Sequence, residues 1–372
     1  MFLNAKLIAI AIITHKKRTM KIHLVSGFLG SGKTTAIQHA SRVLLEQGIK
    51  TGIITNDQGI KLVDGDFFKG LGVPNRQVIN GCFCCNYNDL ENHIVSLTET
   101  NGTETIFAES VGSCTDIVAT VLKPLLRFRP DAQVTVSTFA DVRLLKMMLI
   151  GERNLFDETV TYIYLKQLEE AGIIVISKID LIDKKELAEV KLLMDEKYGN
   201  RVVLYQNSFN EANILGWLQT INNYQSAGNL RSLDINYDIY ATGEARLAWL
   251  DEELEIFSAD NNALQQAMDL ANNIYAKINA HQFAIGHLKF LINGRIKMNF
   301  TTEGGQKPGF KIEPAPTATL LINIRVQTEA ETIKRLVAES IKQVEIQSGC
   351  KVAVHSVAAF HPGYPTPAYR IG

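Results

Sequence analysis

The 372-residue chain has little net charge and few cysteines, and both shortages exclude classes of protein. Its formal net charge is −1, with no block of lysine or arginine residues. Nucleic acids and membrane surfaces are therefore not indicated as partners, because binding to either needs clustered positive charge. Five cysteines, an odd number, are a poor basis for a disulfide framework. We therefore expect a reducing, cytoplasmic location.

Long apolar runs are also missing. Residues 7–13 form a short apolar run, whereas a membrane-spanning helix needs roughly 20 apolar residues. Basic residues at positions 15–18 follow this run, which is the wrong order for a secretory signal. We expect residues 1–19 to be an upstream extension and Met20 to be the natural start.

Residues 20–221 alternate short apolar segments with amphipathic ones. The predicted strands are 22–26, 51–55, 105–109, 134–139, 173–177 and 202–206. Alternating strands and helices predict an α/β fold, here a mostly parallel P-loop NTPase sheet flanked by helices. The polar segment 222–242 is predicted to be a linker.

Residues 243–372 predict a smaller α+β domain. Strand and helix periodicities follow one another in the order βαββαβ, which is typical of a ferredoxin-like sandwich. A Gly/Pro-rich loop at 301–317 separates the two middle strands. Thr328 and Glu331 form a capping-box pattern before the last helix, and Gly349 is expected to end it.

The sequence GFLGSGKT at residues 27–34 satisfies the phosphate-loop pattern between a predicted strand and a predicted helix. Glycines let the backbone N–H groups converge on phosphate oxygens, and the following helix adds its positive dipole. Lys33 is expected to contact the β- and γ-phosphates, and the Thr34 hydroxyl is expected to bind Mg²⁺. The residues predicted to bind nucleotide are Gly27, Gly30, Ser31, Gly32, Lys33, Thr34, Thr35, Gly112, Lys178 and Asp180.

Glu109 ends a predicted apolar strand and begins the sequence ESVG. A carboxylate there can hold a magnesium-bound water or orient the nucleophile, and Gly112 allows close approach to the γ-phosphate. Ser177-Lys178-Ile179-Asp180 matches the Asn-Lys-x-Asp element of GTPases except for its first residue. Because the Asp180 carboxylate can accept hydrogen bonds from guanine N1–H and its amino group, we expect a preference for GTP over ATP.

These motifs resemble those of the CobW-type metal-chaperone GTPases over residues 21–206. The matching segments are 27–35 (GFLGSGKTT), 56–59 (NDQG), 81–85 (GCFCC), 109–112 (ESVG), 166–171 (KQLEEA) and 177–180 (SKID). The resemblance implies that the cysteine motif lies between two switch regions and senses the γ-phosphate. The segment NDQG departs from the family's Asn-Glu-Phe-Gly, and a His-rich stretch is missing, which argues against metal storage.

Cys82, Cys84 and Cys85 are the predicted transition-metal ligands, because thiolates bind Zn²⁺, Co²⁺ or Ni²⁺ well. Cys82 and Cys84 can point to one side of an extended loop, whereas Cys85 faces elsewhere unless the chain turns. Two or three ligands leave an incomplete site, from which a metal can be passed on. A redox switch and buried structural cysteines are the alternatives. Asp57 is a candidate ligand of Mg²⁺ or of the transferred metal, and Lys33, Glu109 and Asp57 are the predicted catalytic residues.

The leading hypothesis is a GTP-hydrolysing metallochaperone that passes Zn²⁺ or Co²⁺ to a client docked on the C-terminal domain, with a homodimer as the candidate assembly. Its hydrolysis is expected to be slow, since no arginine finger is identified in cis. A regulatory GTPase for a corrinoid- or metal-dependent enzyme, without metal transfer, is the second hypothesis. A small-molecule kinase is the third, although the arginine-rich lid it needs is not visible in the sequence.

Overall fold

The computed structural model describes residues 19–59, 63–70, 72–150, 155–224, 227–305 and 313–372. All but the last residue of the predicted N-terminal extension therefore lies outside the described residues. The domain boundaries at 221 and 243 stay predictions. Across the described ranges, no helix combines the length and the apolar character needed to cross a membrane.

The first domain is built on a parallel sheet. Its strands are β1 Lys21–Gly27, β2 Thr51–Asn56, β3 Asn75–Val78, β4 Thr105–Glu109, β5 Gln133–Asp141, β6 Ile173–Ser177 and β7 Val202–Gln206. Within the described residues these seven strands lie in the order β3-β2-β4-β1-β5-β6-β7. Its helices are α1 Lys33–Glu46, α2 Val63–Gly70, α3 Tyr87–Asn101, α4 Lys123–Phe128, α5 Val142–Ile150, α6 Glu158–Glu170, α7 Lys184–Tyr198 and α8 Glu211–Asn223, and a π-helical turn at Val118–Leu122 precedes α4.

The central strands are apolar along their length because helices cover both faces of the sheet. Every residue of β4 and of β6 is buried. Since the strands are parallel, β1, β4 and β6 end at one edge. Parallel α/β sheets bind ligands in the crevice at that edge, and the predicted nucleotide motifs follow these strands. The predicted α/β P-loop fold is confirmed.

The second, smaller domain contains an antiparallel sheet. The elements after α8 are α9 Tyr237–Ala245, β8 Leu247–Phe257, α10 Ala263–Ala280, β9 Ile285–Ile292, β10 Ile296–Thr301, β11 Gly304–Gly305, β12 Thr317–Gln327, α11 Ala330–Ser348 and β13 Lys351–Phe360. The sheet order among described residues is β11-β10-β9-β12-β8-β13. Strands β8, β9, β12 and β13 with α10 and α11 give the predicted βαββαβ sandwich, and β10 and β11 extend its β9 edge.

The two faces of the second sheet have different partners. Leu320, Ile322 and Ile324 of β12 pack in a core with residues of α10 and α11. The alternate residues face the first domain: the Asn323 side chain accepts a hydrogen bond from the Val63 N–H at 2.9 Å. The polar face of this sheet is therefore covered by the P-loop domain.

The structure differs from the sequence predictions in several places. Helix α9 begins inside the predicted linker and extends beyond it, and its Tyr240 packs with Ile163 of the first domain. The strand β10 was not predicted before the Gly/Pro-rich loop. Glu329, not Thr328, is the N-cap of α11 and its side chain makes no capping hydrogen bond, so the predicted capping box does not form. Gly349 ends α11 in the left-handed region with φ 70°, as predicted.

Candidate functional site

The phosphate loop connects β1 to α1 at the carboxyl edge of the first sheet. Gly30 and Gly32 adopt φ values of 71° and 88°, which glycine tolerates best. The Lys33 ammonium donates hydrogen bonds to the carbonyl oxygens of Gly27 at 2.7 Å and Phe28 at 3.2 Å. Burial lowers the pKa of Lys33 to about 8. The side chain is thus held at the loop, where a polyphosphate would restore its full charge.

Glu109, at the end of β4, lies beside the phosphate loop. The Thr34 hydroxyl donates to Glu109 Oε1 at 2.8 Å. Burial raises the pKa of Glu109, and its second oxygen, Oε2, has no hydrogen-bond partner within the described part of the chain. A hydroxyl beside a half-satisfied carboxylate is a hard-oxygen donor set, which fits Mg²⁺.

The predicted base-recognition segment after β6, residues 177–180, is attached to the phosphate loop. Lys178 has φ 60°, and its ammonium donates to the Gly30 carbonyl at 2.6 Å and to Asp141 Oδ2 at 2.8 Å. The Ser177 hydroxyl donates to the Ser31 carbonyl at 2.6 Å. Ser177 stands where GTPases have asparagine, and its hydroxyl hydrogen-bonds this segment to the phosphate loop. Asp180 is exposed at the cleft wall.

Asp57, after β2, is bound by the second domain. Its Oδ1 accepts from Arg325 Nη2 at 2.8 Å and from the Gly59 N–H at 3.0 Å. Arg325 is fully buried, pairs also with Asp251, and has its guanidinium carbon 3.9 Å from the centre of the Trp249 ring. The structure thus places Asp57 in the cleft wall with an ion-pair partner, and its catalytic role stays a prediction.

The loop after Glu109 is fixed by α6. A Cβ on Gly112 would lie 2.7 Å from Leu29 Cδ2, so Gly112 permits contact with the phosphate loop itself. Gln167 donates to the carbonyls of Gly112 at 3.0 Å and Cys114 at 2.8 Å. Glu170 accepts from the Val118 N–H at 3.1 Å, and burial raises its pKa to about 8. The segment KQLEEA therefore fixes the backbone of the loop that follows Glu109.

The cysteine loop, residues 81–85, brings three thiols together because the chain turns. The Cys85 N–H donates to the Cys82 carbonyl at 3.1 Å, which places Cys85 on the same side as Cys82 and Cys84. The sulfur of Cys82 lies 2.7 Å from that of Cys84 and 3.3 Å from that of Cys85. All three are free cysteines whose sulfurs lie within 4.8 Å of one another, a separation suited to one metal ion.

The thiols differ in pKa. Hydrogen bonds from Cys114, Cys84 and Cys85 hold the pKa of Cys82 well below its usual range. Hydrogen bonding to Cys82 raises the pKa of Cys85 to about 11, and burial raises that of Cys114. Cys114 is buried and lies beside the cluster.

Asn56 joins the cleft to the cysteine loop. It is the last residue of β2 and lines the nucleotide cleft beside Asp57. Its Nδ2 donates to the Gly81 carbonyl at 2.7 Å, and its Oδ1 accepts from the Phe83 N–H at 2.8 Å. Two direct hydrogen bonds therefore connect the Asn56–Asp57 segment to the cysteine loop.

Residues 361–372, called here the C-terminal tail, cover the cysteine loop. The Ala368 N–H donates to the Cys84 carbonyl at 2.8 Å, and the Thr366 N–H donates to the Cys85 sulfur at 3.3 Å. The Tyr369 ring packs edge-on against Tyr87, with ring centres 5.2 Å apart. No sequence pattern had marked the tail, because its contacts join distant segments.

The predicted nucleotide-binding residues other than Gly27 all line one cleft of about 340 Å³. Gly27 has φ 124°, and a Cβ there would lie 2.1 Å from the Phe139 carbonyl oxygen, so its role is in the turn. The second domain adds cleft residues that sequence reasoning missed: His287, Lys289, Lys297, Asn299 and Thr301. Asp64 of α2 was also missed. The alternating polar residues of β9 and β10 were the available signal.

Comparison with known proteins agrees with the nucleotide motifs. Residues 21–202 match the family CobW/HypB/UreG, nucleotide-binding domain. The "Zinc chaperone CobW" of Sinorhizobium sp is 30% identical over 192 residues, which are 45% of this chain and 53% of that protein. The chain thus matches about half the length of that relative. The "Zinc chaperone YjiA" of Escherichia coli is 36% identical over 80 residues, 21% of this chain and 24% of that protein.

Among solved structures, HypB from Helicobacter pylori in complex with nickel aligns with a TM-score of 0.42 and 16% identity, covering 59% of this chain and 93% of HypB. The family match coincides with the phosphate loop, the Glu109 strand and the Ser177–Asp180 segment. Residues 21–202 therefore form a nucleotide-binding domain of the CobW/HypB/UreG type.

Proposed function

We propose that this protein is a GTP-binding and GTP-hydrolysing metallochaperone that couples its nucleotide state to thiolate binding of Zn²⁺ or Co²⁺. The observation that carries the proposal is Asn56, which lines the nucleotide cleft and is hydrogen-bonded to both sides of the cysteine loop. The zinc-chaperone names of two relatives support it. A cytoplasmic location and a client docked on the second domain belong to the same proposal.

The cleft residues assign roles for nucleotide binding. The loop N–H groups and Lys33 would bind the phosphates, and the exposed Asp180 carboxylate would accept hydrogen bonds from guanine. Thr34 and Glu109 would hold Mg²⁺, which neutralises phosphate charge when bound. Glu109 is buried, with one oxygen uncommitted, and is the candidate to orient the attacking water.

The metal is cargo in this proposal. Three thiols offer soft ligands, and a tetrahedral ion would keep its fourth position for another donor. An ion held by three ligands can pass to a client by ligand exchange at that position. Because coupling between two binding sites is reciprocal, a nucleotide that tightens metal binding is itself bound more tightly in the presence of metal.

A regulatory GTPase that does not carry metal is the second candidate. The observation that favours it is burial: Cys82 and Cys84 are 3% and 2% exposed, beneath the C-terminal tail. Under this hypothesis the cysteine loop is a structural relay between the nucleotide and a partner. The client effect would then persist in Cys84→Ser, whereas a metallochaperone would lose it.

The test is titration of the reduced protein with Zn²⁺ and Co²⁺ against a chelator, with and without Mg²⁺ and a non-hydrolysable GTP analogue. We expect the nucleotide to raise metal affinity by about 5–150-fold, a gain that is lost in Cys84→Ser. Asn56→Ala should keep metal binding and lose most of the nucleotide effect, because the loop contacts disappear.

The matched control is Asn75→Ala, on the neighbouring strand β3, whose side chain donates to the Val73 carbonyl at 3.0 Å. It should keep the full nucleotide effect. Equal metal affinity with and without nucleotide in the unaltered protein would contradict the metallochaperone proposal and favour the regulatory GTPase.

A further inference from the structure

A buried ion cluster lies at the wall of the nucleotide cleft. The ammonium groups of Lys289 and Lys297 each donate to a different carboxylate oxygen of Asp64. The side chains of the three residues are only 17%, 13% and 14% exposed, and all three line the cleft. One carboxylate therefore holds two cations in a site that also faces the phosphate loop.

The two lysines are carried by a hairpin that touches the phosphate loop. Lys289 lies on β9 and Lys297 on β10, and these strands pair antiparallel. A Cβ on Gly30 would lie 2.7 Å from Thr301 Cγ2, and a Cβ on Gly286 would lie 2.6 Å from Leu29 Cδ1. The hairpin is thus packed directly against the loop expected to bind the phosphates.

Lys33, Lys289 and Lys297 place three cationic side chains along this part of the cleft. Asp64 is the carboxylate partner of both Lys289 and Lys297. A buried cation is costly unless an anion compensates it, so an incoming anion can compete with Asp64 for the two ammonium groups.

His287 gives an independent indication of a ligand. It is 5% exposed, lines the same cleft, and neither ring nitrogen has a hydrogen-bond partner among the residues that the structure describes. Burial and the nearby Lys289 hold the pKa of His287 well below its usual range, so the ring is neutral. A neutral imidazole offers one N–H donor, and a buried donor without a partner is rare in proteins.

We propose that Lys289 and Lys297 of the second domain bind the terminal phosphate of a nucleoside triphosphate, and that Asp64 occupies their ammonium groups until this phosphate displaces it. His287 adds a donor to the same phosphate. The inference rests on the proposed nucleotide binding. It makes the second domain the part of the protein that distinguishes a triphosphate from a diphosphate, and it couples that distinction to α2, which carries Asp64.

The deciding experiment compares Kd values for a non-hydrolysable GTP analogue and for GDP, each with Mg²⁺, in the full chain. Lys297→Gln is the primary variant because it leaves Lys289 and Asp64 as a balanced pair. It should weaken binding of the triphosphate about tenfold or more and that of GDP by less than about threefold. Lys351→Gln, an exposed lysine on β13 of the same sheet, should change neither.

Asp64→Asn provides the second readout. Without nucleotide it should lower the melting temperature, because two buried ammonium groups lose their carboxylate. The rise in melting temperature on adding the GTP analogue should exceed that of the unaltered protein, since the competing anion is gone. Equal losses for triphosphate and diphosphate in Lys297→Gln, or an unchanged response in Asp64→Asn, would overturn the inference. Failure of the unaltered protein to bind either nucleotide would overturn the proposed function as well.

Discussion

The nucleotide cleft and the cysteine loop are stabilised by different kinds of interaction. In the cleft, charged groups of one domain are paired with those of the other, as Asp57 is with Arg325 and Asp64 with Lys289. In the cysteine loop, buried thiols pack in an apolar core and the C-terminal tail lies over them. An anionic ligand entering the cleft exchanges one ion pair for another. Under the proposed function, we expect a metal to reach the buried thiols when this cover opens.

The two sites should therefore respond to different physical changes. Exchange of ion pairs depends on charge and responds to a ligand without large exposure of apolar surface. Opening of a cover depends on local packing and hydrogen bonds, and it is governed by the free energy of that local unfolding. Asn56 belongs to both sites, because it lines the cleft and is hydrogen-bonded to the cysteine loop.

Removing the central cleft cation gives the largest expected effect. Lys33→Ala should weaken binding of the GTP analogue by about a hundredfold or more, because charge-assisted hydrogen bonds to phosphate are lost. Without nucleotide, the rate at which a thiol reagent modifies the cysteines should stay the same, since the hydrogen bonds of Lys33 go to carbonyl groups of the phosphate loop. Isothermal titration and a thiol-reagent assay measure the two. A changed rate of cysteine modification would show that the structure of the cysteine loop depends on Lys33.

A smaller effect is expected from pH. The pKa of Lys33 is lowered to about 8 in the free cleft, and a bound polyphosphate raises it. Binding therefore takes up a proton above that pH, so affinity should be constant below about pH 8 and should fall up to about tenfold per unit above it. Kd values for the GTP analogue at about pH 7, 8 and 9 test this. In Lys33→Arg, whose cation does not titrate, any remaining affinity should be independent of pH.

The sequence predicted the phosphate loop and its neighbours because each motif is local and follows a buried strand. The motif of Ser177, Lys178 and Asp180 could be predicted from its position directly after the buried strand β6. The alternating polar residues of β9 and β12 are different, since alternation ordinarily indicates a face exposed to water. Here the P-loop domain covers that face, so Lys289 lines the cleft and Arg325 binds the cleft residue Asp57. Burial by another domain is a tertiary property that a strand pattern does not contain.

Helix α9 begins inside the segment that its polar residues predicted to be a linker. Gly243 lies near the end of this helix, although glycine lowers helix propensity. A Cβ there would lie 2.4 Å from the Thr159 carbonyl oxygen, so glycine is required for close contact between α9 and α6. The helix also supplies Glu244, which accepts a hydrogen bond from the Ser113 hydroxyl at 2.6 Å, near the cysteines. Packing against α6, not propensity, stabilises this helix.

Loosening the cover of the cysteine loop should give the smallest of these effects. Tyr369→Ala removes the aromatic contacts with Tyr87 and Phe128, whose ring centres both lie 5.2 Å from its own. Because Tyr369 is 38% exposed, each contact should contribute near the lower end of the usual range, about 0.5 kcal/mol, so the loss of both should accelerate modification of the loop thiols about fivefold. Mass spectrometry separates the loop cysteines from Cys350, a buried thiol of the second domain that should react at an unchanged rate. Nucleotide affinity should also stay the same, because the tail contacts the cysteine side of the fold. Equal acceleration at Cys350 would mean that the variant unfolds globally, and an unchanged loop rate would mean that the tail is not the barrier.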